Sequence, residues 1–167
     1  MIKRGAIVVI LSVVIIIYFL SSCSILNSPP SISDVQQKFD DNFSAIEIVT
    51  EFLITEDYKN IYIWECNGRM EADFVDINIQ NQEVADAVIQ LLGTGNYKRI
   101  SKRSNTIVFL QWTGSKDIGC GVVYTINSSE KPCVEYMTQY TALNKENWYY
   151  YVSDYNAWRA TTDNSSS

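Results

Sequence analysis

Any chemistry in this 167-residue chain is done without histidine, because it has none. That removes Ser-His-Asp and Cys-His nucleophile systems and His-ligated zinc. Among the remaining nucleophiles, Cys120 sits between Gly119 and Gly121 in an apparent strand, with no base beside it to take the thiol proton. Ser128 and Lys131 have the S-x-x-K spacing of an acyl-transfer nucleophile, but that motif starts a helix and Pro132 follows at once. The companion S-D-N and K-T-G motifs do not occur, nor do G-x-x-x-x-G-K and G-x-S-x-G. Glu71, Asp73 and Asp76 offer hard oxygens suited to Ca²⁺, without the central Gly and terminal Glu of an EF-hand loop. They read as a solvated strand flank, Glu71 and Asp73 on one face and Asp76 on the other. No catalytic residue, metal or cofactor is expected, and so no enzyme.

Two groups of residues could bind rather than react. The first is aromatic: of eleven Tyr, four Trp and six Phe, many fall late in the chain. On a strand, Trp148 and Tyr150 share one face while Tyr149 and Tyr151 share the other, so both faces carry rings. One face can serve the core. The other, with Tyr155 and Trp158, either stays open to stack on sugars or anchor a protein interface, or is covered when Tyr155 and Trp158 fold back. The second group is basic: Lys98, Arg99, Lys102 and Arg103. Charges on both faces suit an edge strand guarded against unwanted pairing, and the alternative is an anion contact. The formal charge of −6 argues against nucleic acid as a partner.

These residues must be held by a body that needs no disulfide scaffold at this length. Ser33 and Gln36 have capping-box spacing, and Phe39, Phe43, Ile46, Val49, Phe52 and Leu53 fall at helical steps, predicting one helix over 34–55. Lys59–Cys66 reads as a strand, Asn67-Gly68 as a turn, and Ala72–Ile79 as a second strand. Asn81 can cap a helix over Gln82–Leu92, with Gly93 and Gly95 at its end. Further strands are expected at Tyr97–Arg103, Thr106–Thr113, Ile118–Ile126 and Trp148–Val152, with Gly114–Asp117 as a connection and 133–142 a strand or irregular strap. The fold class is therefore α+β, an antiparallel sheet with a C-terminal meander and two helices on one face. Apart from Cys23 the thiols are Cys66, Cys120 and Cys133. Cys120–Cys133 is the pair to test first, against buried unpaired thiols.

At the N-terminus, Lys3 and Arg4 precede an apolar stretch from Ala6 to Leu20 broken only by Ser12. This is the charge-then-apolar order of a secretory signal. Leu20-Ser21-Ser22-Cys23 then resembles the lipobox of bacterial lipoproteins. The resemblance implies a diacylglyceryl thioether on Cys23 and removal of 1–22. Other readings of the same residues are an uncleaved anchor, with the apolar run extended to Leu26, or a buried helix. The expected organisation is a signal peptide over 1–22, a lipid-anchored tether over 23–32 with Pro29 and Pro30, one domain over 33–159, and a disordered tail over 160–167.

Trp148-Tyr149-Tyr150-Tyr151 with Asp154-Tyr155 and Trp158-Arg159 is similar to uncharacterised exported lipoproteins of Gram-positive bacteria. That similarity implies a small surface-tethered α+β domain and no substrate. The expected function is a lipid-anchored extracytoplasmic binding module of the cell envelope, held to the membrane and contacting an envelope protein or wall glycan. The alternative is a structural or inhibitory accessory subunit of an envelope complex. An enzyme working through carboxylates or Ser and Lys ranks third.

Overall fold

A computed structural model describes residues 28–65, 68–114 and 118–164. The leader, Cys23, Cys66, Asn67 and most of the 114–117 connection lie outside the described residues. Four helices are described: α1 Ile32–Asp41, α2 Phe43–Thr55, α3 Gln82–Leu92 and α4 Tyr155–Asn164. The strands are β1 Asn60–Ile63, β2 Arg69–Ala72, β3 Val75–Asn78, β4 Arg99–Arg103, β5 Thr106–Thr113, β6 Ile118–Thr125, β7 Met137–Ala142 and β8 Trp148–Asp154. They form one antiparallel sheet in the order β3-β2-β1-β4-β5-β6-β8-β7. The fold is thus α+β, with meander-like C-terminal strands and helices packed against the sheet. No helix among the described residues is long and apolar enough to cross a membrane.

The single helix expected over 34–55 is two. Asn42 leaves helical geometry at φ −114°, ψ 8°, and its Nδ2 donates to the Lys38 carbonyl at 2.9 Å, satisfying the end of α1. The apolar stripe runs unbroken across this joint, which is why periodicity alone does not reveal it. The N-cap is Ser31, not Ser33. Ser31 Oγ accepts from the Asp34 N–H, and Asp34 Oδ2 accepts from the Ser31 N–H. Gln36 and Asp40 instead bond Asn144 in the β7–β8 loop, tying α1 to the sheet's far end.

The strand expected over 72–79 is a hairpin, β2–β3, turning at Asp73 and Phe74. Both are left-handed, at φ 46° and 71°, the geometry of a tight hairpin turn. The Asp73 carboxylate fixes it by accepting from the Lys59 and Asn60 N–H groups and from Asn60 Nδ2. Those bonds also hold its pKa down. Glu71 and Asp76, read as facing apart, are cross-strand partners because of this turn.

One sheet face carries the core. Ile61, Ile63, Ile100, Ile107, Phe109, Val122, Trp148 and Tyr150 meet Val35, Phe39, Ile46, Val49, Leu53, Val84, Val88 and Leu91 from α1–α3. Each large apolar side chain buried there contributes about 1.5–3 kcal/mol. At the C-terminus α4 runs to Asn164, and 165–167 lie outside the described residues. Asp154 Oδ1 starts that helix by accepting from the Ala157 N–H at 3.0 Å.

Candidate functional site

Strand alternation puts a second set of side chains on the sheet face away from α1–α3. The partnered positions Tyr62, Ser101 and Val108 of β1, β4 and β5 share this face. Gly119, Tyr151 and Ser153 of β6 and β8 continue it. The chain from Ile126 to Tyr136 crosses back as a strap. Asn105 Nδ2 and Asn127 Nδ2 donate to the Glu130 carboxylate, holding the strap to the β4–β5 turn. Tyr136 takes a left-handed φ of 56°, and its carbonyl accepts from the Asp154 N–H at 3.0 Å. Between strap and sheet lies an open cleft of about 770 Å³. Arg99, Arg103, Ser101 and Tyr151 line its floor, and Cys133–Tyr136 and Tyr155 its wall. Two smaller hollows lie elsewhere, one of about 140 Å³ lined by Tyr62, Trp64 and Arg69 and one of about 430 Å³ between α2 and α3.

Arg103 organises the cleft. Its Nη1 meets Glu135 Oε2 at 3.0 Å, and its Nε donates to Tyr62 Oη at 3.3 Å. Both hold the guanidinium pKa above its ordinary value. Glu135 in turn pushes the Tyr136 phenol up. Burial raises the Tyr151 phenol, with the Arg99 charge pulling the other way. At the rim, the Tyr136 ring lies 4.9 Å from Tyr155 and 5.2 Å from Trp158. The arrangement offers cationic donors, phenol hydroxyls and ring faces.

The sequence-derived aromatic row therefore divides. Trp148 and Tyr150 belong to the core, each 5% exposed, and are not part of an open surface. Tyr149 is half-buried on the open face, 6.0 Å from the Tyr140 ring. Tyr151 lies in the cleft floor, and Tyr155 and Trp158 fold back to its rim.

The basic cluster divides in the same way. Arg99 and Arg103 point into the cleft, and Lys102 faces the helices. The Lys102 ammonium donates to the Glu56 carbonyl just beyond α2, where a cation is favoured by the helix dipole; burial lowers its pKa. Lys98 is exposed and lies near enough to Lys38 to lower that residue's pKa, after the larger effect of burial. The strand is not an edge: β4 pairs with β1 and β5, and of its charges Lys102 and Arg103 are held by Glu56 and Glu135.

Cys120 and Cys133 are both free. Cys120 is buried on the helix side and Cys133 lines the opposite cleft, so the sheet separates them. Ser128 lies in a turn, not at a helix start. Among the described residues no three His, Cys, Asp or Glu side chains converge to hold a metal. The sequence reading missed Tyr62, Glu135 and Tyr136 as cleft residues. Alternation placed Tyr62 on a face, but nothing local to 133–136 indicated that the strap would return to β4. No protein-family model, curated protein or solved structure matches this chain.

Proposed function

We propose that this protein is a binding module of the cell envelope, held at the outer face of a membrane by lipid on Cys23, whose ligand seats in the open-face cleft. One observation carries the binding assignment. The sheet devotes one face to the core, while the other holds two arginines and four tyrosines around a cleft of about 770 Å³. The groups there suit recognition, since cationic donors and rings converge on one space. The order of basic residues, apolar run and lipobox supports export and anchoring. The partner is an envelope protein or glycan, and the acidic net charge disfavours nucleic acid.

Two measurements test this. Metabolic labelling with a fatty acid marks the wild type and fails to mark Cys23→Ala; equal labelling refutes the anchor. A photo-crosslinking residue placed at Thr113, beside the cleft, captures an envelope component in cells, and one at Ile89 on the helix side does not. Equal capture from both positions refutes the cleft as the binding site.

A further inference from the structure

The cleft's charge runs against that of the chain. In a protein of formal charge −6, its lining holds two guanidinium groups and one carboxylate, Glu135. That carboxylate belongs to the strap and sits on Arg103 at 3.0 Å, with both side chains more than half exposed. An exposed pair of this kind adds little to stability, and a competing anion can replace it. Arg99, also exposed, has no ion-pair partner among the described residues. The cleft floor is made of internal strands, whose backbone groups are used in the sheet ladders. An extended peptide cannot add a strand there, so recognition falls to side chains. Besides the two arginines, the accessible ones are the rings and hydroxyls of Tyr62, Tyr136 and Tyr155, which suit the faces and hydroxyls of sugars, while Tyr151 and Ser101 are buried beneath.

We infer that the cleft takes an acidic glycan, one of whose carboxylates displaces Glu135 from Arg103 while Arg99 binds a second anionic or hydroxyl oxygen. This rests on the cleft being the binding site. Glu135 then acts as an internal stand-in for the ligand, blocking the cleft to weaker anions. The arginine forks give a planar carboxylate two parallel hydrogen bonds.

The test titrates the full-length protein in detergent with an oligogalacturonate, following heat and Trp fluorescence. The comparison probes are a neutral oligogalactoside of equal length, a polyglutamate peptide and inorganic phosphate. The oligogalacturonate binds best, and about 0.5 M salt weakens it because exposed charges are screened. Arg99→Ala weakens binding by about tenfold or more, the usual loss for a charge-assisted hydrogen bond. Glu135→Gln has the opposite sign: removing the competitor tightens binding by about two- to fivefold.

Weaker or unchanged binding in Glu135→Gln, with an unaltered melting curve, overturns the inference. Equal binding of the neutral sugar also overturns it. Preference for polyglutamate transfers the site to acidic peptides, and preference for phosphate transfers it to phosphate-bearing ligands; either overturns the carboxylate glycan. If no anion binds while the Thr113 crosslink still captures a neighbour, this inference fails and the cleft assignment stands. If the Thr113 and Ile89 crosslinks behave alike, the cleft assignment itself fails.

Discussion

Trp148 and Tyr149 are neighbours on β8 with opposite fates, and replacing each by Ala measures the division of the sheet. The Trp148 ring lies 5.0 Å from Phe39, 6.3 Å from Phe43, 5.8 Å from Phe109 and 5.0 Å from Tyr124, and the residue is 5% exposed. Removing a buried Trp costs about 3–5 kcal/mol. Tyr149 is half-buried and makes one ring contact, with Tyr140 at 6.0 Å. Its loss costs about 1–2 kcal/mol, mostly that contact and partial burial. Both changes carry the same loss of strand preference, which cancels in the comparison. For a domain of this size each kcal/mol moves the midpoint by about 2–4 °C. Trp148→Ala therefore lowers Tm by about 6–20 °C and Tyr149→Ala by about 2–8 °C, on the same conversion. Circular dichroism melts, with urea titrations to check that the slope is unchanged, read both. Equal shifts, or a larger one for Tyr149, refute the assignment of β8 faces and with it the open cleft.

Phe74 is 90% exposed at φ 71°, so its side chain gains little from folding while its backbone is strained. Phe74→Gly relieves about 1–2 kcal/mol of strain and loses about 0.4–1 kcal/mol to unfolded-chain entropy. The net gain of about 0–1.6 kcal/mol leaves Tm unchanged or raises it by up to about 6 °C, and a lower Tm means the ring is packed. At Gly121 a Cβ would lie 2.1 Å from the Phe109 carbonyl oxygen and 2.9 Å from the Gln111 nitrogen. Gly121→Ala forces β5 and β6 apart at the Leu110/Trp112 bulge and destabilises by about 2–3 kcal/mol in urea titration; a neutral effect refutes the register there. Burial pushes the Cys120 thiol up from 9.0 to about 11. The unfolded chain releases that proton first, so the stability due to the neutral thiol is complete below pH 9 and is lost as pH rises toward 11. Between about pH 8 and 10 the wild type loses more unfolding free energy than Cys120→Ala does; parallel losses refute this.

Where pattern and structure agree, the determinants are local. Helix α3 matches its expected span of Gln82–Leu92 because Asn81 Oδ1 accepts from the Glu83 N–H at 2.9 Å and Val84, Val88 and Leu91 repeat on one side. Strand β5 matches over Thr106–Thr113 for the same kind of reason. Where they part, the determinants are distant or silent. The Asp73-Phe74 turn carries no Gly or Asn, and bonds from Lys59 and Asn60, at the start of the neighbouring strand β1, hold it. The β4 charges resembled edge protection because the partners of Lys102 and Arg103, Glu56 and Glu135, are far away in sequence.

That last partner also shows why the cleft is not legible in sequence, although Arg99, Arg103, Tyr151 and Tyr155 stand out there as candidates. Alternation fixes that Arg99, Ser101 and Arg103 face together, and that Tyr149 and Tyr151 do. It does not fix which face α1–α3 will cover, nor that β4 will be separated from β8 by only β5 and β6. Covering the Trp148 face leaves the Tyr151 face to α4 and the strap. The strap reaches β4 through Glu130 and Glu135, two exposed carboxylates bonded to Asn105 and Arg103. The exposed Glu135–Arg103 pair contributes little, whereas backbone bonds from the Ile126 and Asp154 N–H groups to the Asn105 and Tyr136 carbonyls hold the strap at both ends. Glu135 can therefore leave Arg103 by moving its side chain alone, without disturbing strap or core, which is the physical condition the proposed displacement requires.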